Sequence, residues 1–229
     1  TGAIAQTPTS LSLVNVDQTN VNQQTQVPRT LSNVADGVKD NDAVNVSQLN
    51  AAKVKYFSVN STVTGNRDNT GATGVNAIAI GPAATATKAQ SIALGNSATA
   101  GGTDSIAIGN GSVAADKVAP VAIGRGTQAN GDFSVALGGG NHQFVGAIAN
   151  GVGTTALGTY TKTTAGENFQ TAVGFGANTT KSNATAIGYN SAVSTEGGVA
   201  LGANSSSSTG RIVGYNPNDG RCLLYTSPS

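Results

Sequence analysis

Few residues in this chain of 229 could carry covalent or acid–base chemistry. It has one His (His142), one Cys (Cys222), and no Met or Trp. A catalytic triad or a zinc site needs His, Cys and carboxylates that converge. His142 stands alone in a Gly-rich stretch, which favours an exposed loop over a catalytic role. Asp104, Asp116, Asp132 and Glu167 are dispersed in turns or insertions, whereas a β-helical polysaccharide-active enzyme would gather its carboxylates on one face. Gly-x-Gly-x-x-Ala occurs at 109–114, 124–129 and 151–156. A dinucleotide fingerprint also requires a following helix and an acidic residue about 20 positions on. The first two copies fall at one phase of a repeat and read as turns. Asn-x-Ser/Thr sequons such as Asn60-Ser61-Thr62 and Asn183-Ala184-Thr185 follow from composition. We expect no catalytic residue, cofactor or metal site.

The composition narrows the remaining classes. Glycine occurs 31 times, charged residues make up 10% and aromatics 4%. A typical soluble domain is ~25% charged, so a highly charged disordered chain is excluded. Twelve basic and 11 acidic residues are scattered to a net charge of +1, without the basic face that nucleic-acid binding requires. No apolar run approaches the ~20 residues of a membrane helix, and Thr1-Gly2-Ala3-Ile4 lacks the features of a signal peptide. One Cys makes no internal disulfide. Small residues in bulk with regularly spaced Ile, Leu and Val point to repeats.

An Ala-aliphatic-Gly triplet occurs nine times: Ala79-Ile80-Gly81, Ala93-Leu94-Gly95, Ala107-Ile108-Gly109, Ala122-Ile123-Gly124, Ala136-Leu137-Gly138, Ala156-Leu157-Gly158, Ala172-Val173-Gly174, Ala186-Ile187-Gly188 and Ala200-Leu201-Gly202. Successive glycines lie 14, 14, 15, 14, 20, 16, 14 and 14 apart. Three before each Gly stand Ile78, Ile92, Ile106, Val121, Val135, Thr155, Thr171, Thr185 and Val199. Residues two apart on a strand share a face, so the aliphatic columns form one bulky face and the Ala column the other. Neither is charged, which predicts a strand covered on both faces.

Three and five residues after the Gly the chain places small residues such as Ala84 and Ala86 or Ala98 and Ala100. Between them runs a free column: Thr85, Thr99, Val113, Gln128, Lys162, Asn178, Ala192 and Ser206. That alternation predicts a second strand with one covered and one wet face. An ice-binding solenoid would instead show a Thr ladder there. Two short strands and two turns use up 14 residues, so the expected fold is an all-β, two-sided parallel β-solenoid with one coil per repeat. At ~4.8 Å per coil it forms a rod of roughly 40 Å. We expect the Ile/Leu/Val face to fill the roll and the Ala face to meet partner chains. Gly139–Val152, with Phe144, and Thr159–Asn168 are expected to protrude as loops.

Segments such as Asp104-Ser105-Ile106-Ala107-Ile108-Gly109 and Gln90-Ser91-Ile92-Ala93-Leu94-Gly95 resemble the head repeats of trimeric autotransporter adhesins of the YadA type. Leu31-Ser32-Asn33-Val34-Ala35-Asp36-Gly37, then Asp40-Asn41-Asp42-Ala43-Val44-Asn45-Val46-Ser47-Gln48-Leu49, is similar to that family's neck motif. Lys55-Tyr56-Phe57-Ser58-Val59-Asn60 resembles its neck-to-head strand. The resemblance implies a left-handed parallel β-roll in a homotrimer. It also implies a passenger on a Gram-negative outer membrane that adheres to host cells or to matrix proteins such as collagen, fibronectin or laminin. The alternative is a passive spacer of the fibre. Attachment to the membrane would be made through other parts of a longer adhesin.

The organisation expected is an upstream stalk or linker at 1–28, a neck at 29–54, a head β-roll at 55–209 and the possible start of an insert at 210–220. Residues 221–229 resemble translated adapter sequence and are left out of fold reasoning. In the neck, Asp42 is the expected N-cap, with Val46, Leu49 and Val54 along one side of a short helix. Three such segments would pin three chains together.

Overall fold

The computed structural model describes residues 30–53, 59–141, 143 and 145–208. His142, Phe144, Val54, Lys55–Ser58, the segment 1–28 and the tail from 209, with Cys222, lie outside the described residues. The chain divides into two compact units, Thr1–Ser58 and Val59–Ser229.

The second unit is a parallel β-solenoid of nine coils. In each coil the three residues before the repeat glycine form one strand, and two residues after the turn form a second. The first set runs from Ile78–Ile80 to Val199–Leu201 and the second from Thr85–Ala86 to Ser206–Ser207. Each set makes a nine-stranded parallel sheet in unbroken coil order. Register is exact in the repeat: Ala79 pairs with Ala93, Ala93 with Ala107, and so on to Ala186 with Ala200. The 14-residue beat is thus a hydrogen-bond register.

The glycine at each bend has φ between +114° and +141°, a region that L side chains rarely adopt. At Gly109 an added Cβ would also lie 2.7 Å from the Gly124 carbonyl group of the next coil. Each bend therefore stacks on the next backbone to backbone.

The structure reverses our expectation for the two faces. Ala93, Ala107, Ala122, Ala136, Ala156, Ala172 and Ala186 are fully buried, Ala200 nearly so, and Ala79 partly. They point into the roll, opposite Ala86, Ala100, Ala114, Ala129 and Ala149 of the second sheet. The aliphatic residues face outward: Ile80, Leu94, Leu137, Leu157, Ile187 and Leu201 are exposed, and Ile108, Ile123 and Val173 are half-buried. The roll is too narrow for Leu or Ile, because all four inward columns are Ala, Ser or Thr with few exceptions.

Hydroxyls in those columns also close the bends. Ser105 Oγ donates to the Gly102 carbonyl at 2.6 Å and Thr127 Oγ1 to that of Gly124 at 2.9 Å. Ser and Ala interchange because each fits the space and the Ser hydroxyl finds a carbonyl three residues back. Thr179 breaks this rule, since its buried Oγ1 has no hydrogen-bond partner. The next coil carries Val193 at the same position. Thr179→Val is therefore expected to stabilise the roll by about 1 kcal/mol, because an unmet buried hydroxyl is costly. The urea midpoint should rise; a fall would show that the hydroxyl is satisfied.

Both long intervals leave the roll intact. After Gly138 the small-x-small strand is deferred to Ala147-Ile148-Ala149, which pairs with Gln128–Ala129. The Ala147 N–H bonds the Gly138 carbonyl at 2.9 Å, as the third residue after the glycine does elsewhere. The regular coil resumes at Ala147, so Gly139–Val152 is not one loop. Likewise Lys162–Thr163 is a regular strand, so the segment Thr159–Asn168 is not one loop. Its extra residues lie near 164–168, braced by Gln170, the largest fully buried side chain. Gln170 Nε2 donates to the carbonyls of Thr164 and Glu167, both at 2.9 Å.

At the N-terminal end of the roll, Asn66 caps the first coil. Its Nδ2 donates to the carbonyls of Ala79 and Gly81 at 3.2 Å, and its Oδ1 accepts from the Gly71 N–H at 2.8 Å. A sheet edge that would otherwise invite pairing is thereby occupied.

Candidate functional site

Asp104, Asp116, Asp132 and Glu167 fall within the described residues. No group of three or more His, Cys, Asp or Glu among them could hold a metal ion. The Gly-x-Gly pairs at 109–111 and 124–126 lie on bends, with Gly111 and Gly126 in the left-handed region. Glu167 has a structural role: its Oε2 accepts from the Ser182 hydroxyl at 2.6 Å and backbone N–H at 2.9 Å, and its Oε1 from Lys181 Nζ at 3.3 Å. The Ser182 hydroxyl first, then Lys181, holds its carboxyl below the ordinary range. A depressed carboxyl stabilises the fold above its unfolded-state pKa, and that contribution is lost as pH falls through the folded value. No helix of the described residues is long and apolar enough to cross a membrane.

Three surfaces remain. The largest is the outward face of the first sheet, where Ile80, Leu94, Ile108, Ile123, Leu137, Leu157, Val173, Ile187 and Leu201 form one continuous aliphatic column. Ile78, Ile92, Ile106, Val121 and Val135, then Thr155, Thr171, Thr185 and Val199, run parallel to it. A continuous apolar stripe of this length marks an interface.

The second surface belongs to the first unit. The helix α1, Val46–Ala52, has Asn45 rather than Asp42 as its N-cap. Asn45 Oδ1 accepts from the Gln48 N–H at 3.0 Å, and Gln48 Oε1 reaches back to the Asn45 N–H at 3.3 Å, a capping box. Asp42 instead accepts from the Val38 and Lys39 N–H groups at 2.9 and 2.8 Å. The Lys39 bond, then the Val38 bond, lowers its pKa. The Asn45 and Gln48 side chains also clamp the chain at Val34–Gly37: Asn45 Nδ2 donates to the Val34 carbonyl at 3.0 Å, and Gln48 Nε2 to that of Gly37 at 2.9 Å. Ala43 and Ser47 sit beside these polar anchors and are exposed. Val44, Val46 and Leu49 are exposed as well, and the helix buries none of its residues. A seven-residue helix is too short to persist on propensity alone, so this apolar side needs a partner.

The third surface is the bend that follows the first strand, and the sequence reading missed it. Along this edge the residue after the repeat glycine changes from Asn96, Asn110 and Arg125 to Phe175 and Tyr189. Asn110 Nδ2 donates to Asn96 Oδ1 at 3.0 Å. Beside Arg125, the residues Gly140, Asn141, Val145 and Gly146 wall an open pocket of about 310 Å³. Beyond it Tyr160, Phe175 and Tyr189 follow in file: the Tyr160 and Phe175 rings are tilted by 38° with centroids 6.3 Å apart, and those of Phe175 and Tyr189 stack at 5.9 Å. The aromatics were legible as types, but Tyr160 stands two after its glycine and the other two stand one after. Only the folded chain puts them in one file.

With this geometry in hand, the comparisons are specific. A family model for the YadA head domain repeat (2 copies) matches residues 72–98, 86–112, 100–117, 121–141, 171–191 and 180–205. The matched windows pass over 142–170, where both long intervals fall. A search of curated proteins returned no match.

Proposed function

We propose that this chain, in which residues 72–117, 121–141 and 171–205 match the YadA head domain repeat, is the surface-displayed head of a trimeric autotransporter adhesin that attaches to host cells or matrix proteins. The family is one of adhesive, extracellular, self-associating passengers. The observation that carries the reading is the unbroken Ile/Leu/Val face on the outside of the roll. A lone rod would leave that stripe in water, and three rods facing one axis cover it. The left hand of the roll comes from the same resemblance.

In this reading 29–54 is the neck, and the exposed Val44, Val46 and Leu49 are where three copies join. Host attachment then gains from three copies displayed together, since linked sites raise avidity without new contacts. The role is non-enzymatic, and the display is at the cell surface of a Gram-negative bacterium, anchored by other parts of a longer protein.

The test separates adhesion from spacing. Sedimentation of the chain at micromolar concentration is expected to give a trimer, and coated collagen, fibronectin or laminin is expected to retain it. Deleting residues 140–145 restores the 14-residue interval and should leave the trimer intact. Loss of adhesion in that variant places the ligand surface at the insertion. A trimer that binds neither matrix nor host cells would make this head a spacer.

A further inference from the structure

We propose that the pocket beside Arg125 and the aromatic file next to it form one track for an acidic oligosaccharide lying along the rod. The proposal rests on the adhesin reading and names its ligand class.

The track is continuous. Asn110, Arg125, Gln128, Gly140, Asn141 and Val145 line the pocket. The Val145 carbonyl accepts from the Tyr160 N–H at 3.1 Å, so the pocket wall is joined to the first ring of the file. Tyr160 and Tyr189 are each 53% exposed and Phe175 37%, which leaves ring surface available along three successive coils.

Charge selects the first feature of the ligand. Arg125 is exposed, makes no ion pair among the described residues, and shares the pocket with no carboxylate. A planar guanidinium in that setting matches a carboxylate or sulfate, bidentately. Amides select the second: Gln128 carries a donor and an acceptor, and Asn110, whose Nδ2 donates to Asn96 Oδ1, an acceptor, the complement of neighbouring hydroxyls. The rings select the third, since their exposed apolar surface offers contact area at little rotamer cost. They recur once per coil, with centroids 6.3 and then 5.9 Å apart, a step of the order of one sugar of a linear glycan. A peptide fits less well, because the sheets expose edges only at the ends of the rod and the pocket has no deep apolar slot.

Backbone strain supplies a separate observation. Tyr160 has φ +63°, at the bend position where other coils carry Ala83, Ser97, Gly111, Gly126, Gly176, Asn190 or Asn204, while Phe133 and Phe169 take a similar φ at the opposite bends. A bulky residue in the left-handed region is uncommon and costly. This coil holds a tyrosine there, at the junction of the pocket and the aromatic file.

The test uses the full chain and calorimetric titration with a hexasaccharide of alternating glucuronate and N-acetylglucosamine, and with its carboxyl-reduced form. Arg125→Gln is expected to weaken the acidic probe about tenfold and the reduced one less than about twofold, as a lost charge-assisted pair predicts. Tyr189→Ser should weaken both probes by a similar factor. Lys117→Gln, which removes an exposed cation at the opposite bend of the roll, should change neither. The track is refuted by no binding at millimolar probe, by an equal loss in Lys117→Gln, or by tighter binding of a hexaglutamate peptide. It is equally refuted if Tyr189→Ser breaks the trimer, which would make the file a contact between copies. Matrix adhesion is measured on the same samples: if it persists while the hexasaccharide is ignored, only the track falls. A trimer that adheres to nothing removes the adhesin reading itself.

Discussion

Ala107→Arg is expected to abolish the β-roll. Ala107 is fully buried, stacked between Ala93 and Ala122, and packed in a core made of other alanines. An arginine there has neither room nor a counter-charge. Overpacking costs about 1–3 kcal/mol, and an unpaired buried charge costs about 3–5 kcal/mol more. Either is large beside the interface between two neighbouring coils, on which a solenoid depends. Far-UV circular dichroism should lose its β signal, and the urea transition should vanish or fall to near zero denaturant. Gln128→Arg, on the exposed side of the second sheet, is the matched control and should fold normally. A folded Ala107→Arg of unchanged stability would mean that the Ala face does not line the interior.

Changing the next residue should have a different outcome. Ile108→Arg combined with Val173→Arg places two charges on the outward aliphatic column, four coils apart, where each side chain is only half-buried in one copy. The roll itself loses little, since the arginine stems lie along the surface with their heads in water. An interface formed by that face would have to bury both charges in every copy, at several kcal/mol each. Sedimentation at micromolar concentration is expected to give a folded monomer, with the circular dichroism of the parent. Gln128→Arg should remain a trimer. A double variant that still sediments as a trimer would show that the neck, through Val44, Val46 and Leu49, holds the copies without this face.

These two experiments turn on what an uncharged strand conceals. Ala-aliphatic-Gly at a 14-residue beat specifies coil length, parallel register and bend position. The structure places Ala79 beside Ala93, and Ala186 beside Ala200, as that beat requires. The strand pair was legible because Ala84-Thr85-Ala86 and its counterparts alternate strictly. In the coil after Gly138 the same alternation, Ala147-Ile148-Ala149, was displaced by six residues and went unread. The helix start was off by three residues. Asp42 and Asn45 are both good caps by type, and Asn45 wins because Gln48 completes its box and Val34 and Asp36 accept its amide.

The sequence by itself determined the repeat, the number of coils and the two opposed faces of each strand. It left open which face lies inside, since period two says only that Ala and Ile/Leu/Val point apart, and neither carries a charge to keep it in water. The tertiary structure decided it through width. Two sheets joined by bends of a few residues stand close, and the inward columns of the second strand are already Ala, Ser and Thr. Only the Ala column of the first strand can meet them without forcing the sheets apart. The larger aliphatic side chains are therefore turned outward, where another surface must cover them.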